Sequence, residues 1–386
     1  MQTDAWEEAG LYCPDAPEAD ERRALLEYLT DRGATIEQMV EAHRLGSLPA
    51  VAGDLVVGPT AASLSVEEVA ALGGVPVERV QRVLLAAGLP LAPDGRLPED
   101  LESILAAFEQ GAVLLGEEAI LAFTRVLGAA ATNIAEAAVA LFYSELGPGT
   151  LREGADELER AMVAERATLA FTTVPEALSR LLLAQFNRAT RRAVEARGWS
   201  ASSPEGPPEG EGDPDGDAGG EVVALGFVDL VGSTPWAEGL SLRDQSLALS
   251  RFESAAWSSA VLAGGRVVKM IGDEVFFAAP SGETACRIGI EVCQAVAADP
   301  LLPPARGAVG YGRVTAREGD YFGPLVNLVS RLVKAAAPNE VVVTAEVAAA
   351  LPADRWSVRE LEPQLLRGVE HLVPAFAVAL TPAPHG

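Results

Sequence analysis

Lysine is almost missing from this chain: of 29 basic residues, only Lys269 and Lys334 are not arginine. Arginine-biased codon usage accounts for the scarcity, but not for the place of Lys269, just before Asp273 in a hairpin pattern. There a compact three-donor ammonium differs from a planar guanidinium. Cysteine is scarce too. Cys286 and Cys293 stand seven apart on a predicted helix, about two turns or ~10 Å from each other, too far for a disulfide, which with Cys13 fits a reducing cytoplasm. Positive charge is outnumbered: 29 basic residues face 55 acidic ones, a net −26. The excess lies in residues 1–220, with 16 basic against 37 acidic, compared with 13 against 18 in the remainder. Such a surface repels phosphate backbones and argues against general nucleic-acid binding. No long apolar run is present. Ala119 to Tyr143 comes nearest but is interrupted by Arg125, Asn133 and Glu136, so it reads as a packed helix pair, and MQTDAWEEAG lacks a basic, apolar signal. No membrane segment is expected, and the expected location is cytoplasmic.

What is present is enough apolar residue, 49% of 386, for two cores. Residues 1–199 read as an all-helical domain. ERRALLEYLTDRG closes on Gly33, and TIEQMVEAHRLG runs from a Thr35 N-cap to a Gly46 stop, with His43 a surface or cap residue. LSVEEVAALGGVPVERVQRVLLAAGLP, 64–90, offers Ser65 and Glu68 as a capping box, a Gly73-Gly74 turn and a second helix, a helix-turn-helix-like segment. Glu78, Arg79 and Arg82 would face DNA in a regulator, but acids outnumber arginines there, so contact with protein is the expected use. Residues 97–146 and 151–197 read as long amphipathic helices broken at Gly111, Gly116, Gly128 and the GPG at 147–149. No cluster of catalytic residue types occurs, which makes this domain a regulatory or dimerisation element. SASSPEGPPEGEGDPDGDAGG, 200–220, carries six acids and no base; it is expected to be a flexible linker.

The chemistry gathers in residues 221–380. VVALGFVD is a buried strand ending on Asp229, followed by GSTP, where Ser233 or Thr234 can cap a helix with Pro235 in its first turn. GGRVVKMIGDEVFFAAP gives two strands, Arg266–Ile271 and Glu274–Ala279, about a Gly272-Asp273 turn of type II′. Asp229 and Asp273 are candidate ligands for hard divalent cations, which typically take one or two carboxylates plus substrate phosphates. In GDYFGPLVNLVSRL a helix follows Gly323-Pro324, and Asn327 and Arg331, four apart, share a face beside Asp320. EVVVT and PAFAVAL complete an α+β sheet with helices expected on one face.

FVDLVGST, KMIGDEVFF and GDYFGPLVNLVSRL, taken in order, resemble the class III nucleotidyl cyclases over about Val222 to Leu380. The resemblance implies a ferredoxin-like, palm-type antiparallel sheet and an adenylate cyclase making 3′,5′-cyclic AMP and pyrophosphate from ATP. It also implies two Mg²⁺ or Mn²⁺ per active site on Asp229 and Asp273, Lys269 and Asp320 reading the adenine, and Asn327 and Arg331 as the catalytic pair. Each site would be shared across a homodimer, with activity modulated by the N-terminal helical domain, as in bacterial cyclases with autoinhibitory domains, some acid-responsive. Two other readings compete. IGDEVF superficially resembles the turn of diguanylate cyclases, which use GTP, and the segment 64–90 allows a nucleotide-sensing DNA-binding regulator.

Overall fold

The computed structural model describes residues 2–57, 64–89, 96–97, 101–142, 156–196, 220–368 and 371–381. The chain divides into two compact units, 1–185 and 186–386. The division falls inside a helix, Val174–Ala196, rather than at the expected boundary near 199. The expected linker lies outside the described residues except for Gly220, which opens a strand.

The first unit is helical, with one short pairing of β1 (Leu64–Ser65) to β2 (Arg96–Leu97). Its helices are α1 (Gln2–Glu8), α2 (Ala19–Asp31), α3 (Ile36–Arg44), α4 (Val51–Val57), α5 (Val66–Gly73), α6 (Val77–Ala86), α7 (Leu101–Leu115), α8 (Glu117–Leu141), α9 (Glu157–Phe171) and the first half of α10 (Val174–Ala196). Local sequence starts several of them as expected. Thr35 and Ser65 each accept from the backbone N–H three residues on, and Gln38 and Glu68 close the two capping boxes. One core gathers Trp6, Leu25, Leu29, Met39 and Ala161. Arg22–Glu157 at 2.6 Å, Arg32–Glu165 at 2.7 Å and a Tyr28 hydroxyl donating to Glu165 tie α2 to α9 beside it. A second core gathers Val69, Val80, Leu84, Phe108 and Ile120.

Three expectations for this unit are corrected. Gly111 and Gly128 do not break helices; both lie inside them, where their missing β-carbons admit neighbours. A Cβ at Gly128 would come within 2.4 Å of the Ala87 carbonyl, and one at Gly111 within 2.6 Å of Ile120 Cδ1. Gly116 does separate two helices, α7 and α8, as expected, and the expected break at 147–149 lies outside the described residues. Ala119 to Leu141 is therefore one helix and not a pair. Among the described residues no helix is long and apolar enough to cross a membrane.

The second unit is built on an eight-stranded sheet, giving an α+β fold. In chain order its elements are β3 (Gly220–Leu230), α11 (Ser233–Glu238), α12 (Leu242–Leu262), β4 (Arg266–Ile271), β5 (Glu274–Ala279), α13 (Gly282–Ala298), β6 (Ala305–Arg317), β7 (Asp320–Phe322), α14 (Pro324–Leu332), β8 (Val341–Val343), α15 (Ala345–Ala350), β9 (Trp356–Glu360) and β10 (Phe376–Leu380). The strand order is β4-β5-β3-β6-β8-β10-β9, with β7 paired to β6. Neighbours run antiparallel, as expected, except β6 and β8, which are parallel.

The expectation of helices on one face is also corrected. Along β3, Ala224, Val228 and Leu230 join the core under α12 and α13, with Phe252 and Ile288. Val223, Leu225 and Phe227 point the other way, into a core closed by Val329 and Leu332 of α14. Successive side chains alternate faces, so a strand covered on both sides reads as a continuous apolar run.

Candidate active site

The sheet brings two aspartates to neighbouring strand ends. Asp229 closes β3 opposite Glu274, and the next residue, Leu230, donates its N–H to the Asp273 carbonyl at 3.1 Å. Asp273 sits in the β4–β5 turn after Gly272 at φ +64°. It is not among the positive-φ residues, so only the first turn position is left-handed, as type II′ requires. Ser233 does not cap α11 as expected; Gly232 holds the N-cap position, and the Ser233 hydroxyl donates to Asp273 Oδ2 instead.

Asp229 is 4% exposed. Its Oδ2 accepts from Arg306 Nε at 3.2 Å and Nη2 at 3.1 Å, and from Lys334 Nζ at 2.7 Å. Arg306 stands directly opposite Asp229 in the β3–β6 register. Glu274 completes the cluster. Burial, reinforced by the charges of Asp229 and Asp273 and opposed by Lys334 and Arg306, pushes its carboxyl up to about 7. Glu274 Oε1 is buried with no hydrogen-bond partner. No group of three or more His, Cys, Asp or Glu that could hold a metal occurs among the described residues; the two aspartates at adjacent strand ends match the one or two carboxylates that a hard divalent cation takes beside substrate oxygens.

The expected base-reading residues touch. Lys269 Nζ lies 2.5 Å from Asp320 Oδ2, and Asp320 Oδ1 accepts from the Tyr321 N–H at 2.8 Å. Lys269 Nζ also lies 5.8 Å from the centroid of the fully buried Phe276, which stacks on Phe227 and meets Tyr321 edge-on. The pair thus rests on a rigid aromatic base.

Asn327 is exposed and Arg331 half-buried on α14, one turn apart. Among the described residues neither side chain has a hydrogen-bond or ion-pair partner, so the alternative of a structural Arg331–Glu pair finds no support there. Nor does any hydrogen bond or ion pair among the described residues join the three pairs, Asp229/Asp273, Lys269/Asp320 and Asn327/Arg331, to one another.

Sequence reasoning missed Arg306, Lys334 and Glu274 as members of the cluster. The rarity of lysine singled out Lys334 without placing it; nothing local marks Arg306, which reaches Asp229 through strand register. In the first unit, Arg79 pairs with Glu109 at 2.7 Å, and Arg82 with Glu117 at 2.8 Å and Glu118 at 3.0 Å. Both arginines of the helix-turn-helix-like segment are engaged in ion pairs inside the unit.

The profile of the adenylate cyclase regulatory domain matches residues 8–186. An uncharacterised protein of Mycobacterium tuberculosis is 30% identical over 378 residues, covering 97% of this chain and 94% of its own. A pH-sensitive adenylate cyclase of the same species is 28% identical over 370 residues, 93% of this chain and 88% of its own. An adenylate cyclase of Glutamicibacter nicotianae is 36% identical over 152 residues, 39% of this chain and 38% of its own. The chain belongs to the class III nucleotidyl cyclases that carry an N-terminal adenylate cyclase regulatory domain.

Proposed function

We propose that the chain is an adenylate cyclase, converting ATP to 3′,5′-cyclic AMP and pyrophosphate at two sites shared across a homodimer, and that its helical unit restrains the activity. The observation that carries the choice of base is the Lys269–Asp320 pair at 2.5 Å. An ammonium donates to adenine N1 while the carboxylate accepts from the N6 amine. Guanine presents an acceptor at O6 and a donor at N1, the reverse order, and so mismatches a donor and acceptor fixed in this sequence.

Asn327 orients the ribose, and Arg331, whose guanidinium is unpaired among the described residues, meets the charge that develops on the α-phosphoryl group as the 3′ oxygen attacks. Asp229 and Asp273 would hold two Mg²⁺ or Mn²⁺; bound there, such cations supply activation of the 3′ hydroxyl and shielding of the triphosphate. On this reading each site is completed by a second copy. One subunit contributes Asp229 and Asp273, and its partner contributes the equivalents of the other four. The match of residues 8–186 to an adenylate cyclase regulatory domain supports regulation through the helical unit.

The test is cyclic AMP formation by wild type, Asp273→Ala and Arg331→Ala, singly and mixed, with GTP in parallel. Each variant alone is expected to lose roughly a hundredfold or more, and the mixture to recover one intact site per heterodimer. A mixture that stays inactive despite demonstrated subunit exchange contradicts the shared site; GTP turnover matching that of ATP contradicts the adenine assignment. Equal activity with and without residues 1–220, from mildly acidic to neutral pH, excludes restraint by the helical unit.

A further inference from the structure

We propose that Lys334 is the resident counter-ion of the metal site: its ammonium occupies Asp229 Oδ2 in the metal-free enzyme, must leave when a divalent cation binds, and so sets the cation concentration at which the site assembles. This rests on the reading of Asp229 as a metal ligand and goes beyond it by naming what the metal displaces. Asp229 cannot turn to water for solvation, since its side chain is 6% exposed, and a carboxylate held that deep needs a cation or hydrogen-bond donors. Three N–H donors converge on its Oδ2, two from Arg306 and one from Lys334.

The two cations are held differently. Arg306 is tied at both ends: its Nε and Nη2 reach Asp229, while its Nη1 donates to the Lys334 carbonyl at 3.2 Å, and its side chain is 21% exposed. Lys334 grips by Nζ alone, from a side chain 55% exposed on the single 3₁₀ turn Val333–Ala335 that follows α14. A divalent cation coordinates a carboxylate oxygen at about 2.0–2.1 Å, whereas the ammonium sits 2.7 Å from the same atom. Two positive charges on one nearly buried oxygen repel each other strongly. The group able to leave is the exposed, singly anchored lysine, and the pinned arginine stays. Departure of the ammonium leaves Asp229 Oδ2 to Arg306 and to the incoming cation.

The experiment is a titration of the full chain with Mn²⁺ alone, without nucleotide, reading free Mn²⁺ by electron paramagnetic resonance, on wild type, Lys334→Met, Lys334→Gln and Asp229→Asn. Removing the competing ammonium is expected to tighten the Asp229-dependent site about tenfold, equivalent to about 1.4 kcal/mol. By linkage, Mn²⁺ then raises the thermal midpoint of both Lys334 variants more than that of wild type. The glutamine variant keeps a polar, neutral side chain and reads the same exchange if the methionine variant folds poorly. Loss of the site in Asp229→Asn with unchanged or weaker binding in both Lys334 variants overturns the inference and leaves the metal reading standing. Wild-type Mn²⁺ binding by Asp229→Asn overturns both.

Discussion

Gly226→Ala tests whether β3 is held as tightly as the geometry implies. Gly226 lies opposite Phe277 in the β3–β5 ladder, three residues before Asp229. A β-carbon there would sit 2.3 Å from Phe277 Cζ and 2.9 Å from Cε1 and Cε2. Carbon atoms rest about 3.5–4.0 Å apart, so the ring has to withdraw by more than an ångström. Phe277 is 1% exposed, in the core that also holds Phe252 and Ile288, and has no open space to enter. Overpacking of this kind costs about 1–3 kcal/mol; the lower backbone entropy of alanine in the unfolded chain returns about 0.5–1 kcal/mol. The net loss, ~1 kcal/mol at the centre of the range, lowers the midpoint of a unit this size by about 2–4 °C. Gly312→Ala is the control, because its β-carbon meets only the end of a flexible side chain, Leu325 Cδ2, at 3.3 Å. It is expected to stay within about 0.5 kcal/mol of wild type. Scanning calorimetry of the full chain reads both. Equal midpoints for Gly226→Ala and wild type, or equal losses in the two variants, would refute the reasoning.

Two further outcomes follow from buried titratable groups. The folded carboxyl of Glu274 titrates at about 7 against an ordinary 4.5, so across that window the unfolded chain has already released the proton that the folded chain keeps. Stability of the metal-free enzyme therefore falls as pH rises from about 4.5 to 7, and Glu274→Gln flattens that slope when midpoints are measured in chelator; an unchanged slope contradicts the assignment. Cys286 and Cys293 are buried, and burial pushes both thiols up to about 12, whereas Cys13 is exposed. Iodoacetamide at neutral pH is expected to modify Cys13 alone in the native chain and all three after denaturation, as counted by mass spectrometry.

The sequence alone determined whatever is local. The β4–β5 hairpin has the bounds its residues predict, because a Gly-Asp turn between two apolar strands leaves few alternatives. The Thr35 N-cap and the Ser65–Glu68 capping box were legible for the same reason, each being a pattern of a few adjacent residues; the Gln38 half of a second box at Thr35 emerged only in the structure. Asp229, Asp273, Lys269, Asp320, Asn327 and Arg331 were legible as an ordered set of motifs, and tertiary structure then brought Lys269 and Asp320 into contact from 51 residues apart. It alone decided which cations meet Asp229, since Arg306 and Lys334 arrive from 77 and 105 residues away. The first comes through the register of β3 on β6, the second through the turn that follows α14. The coverage of both sheet faces and the raised carboxyl of Glu274 belong to the same class. Burial is a property of everything that surrounds a residue, and no window of sequence contains it.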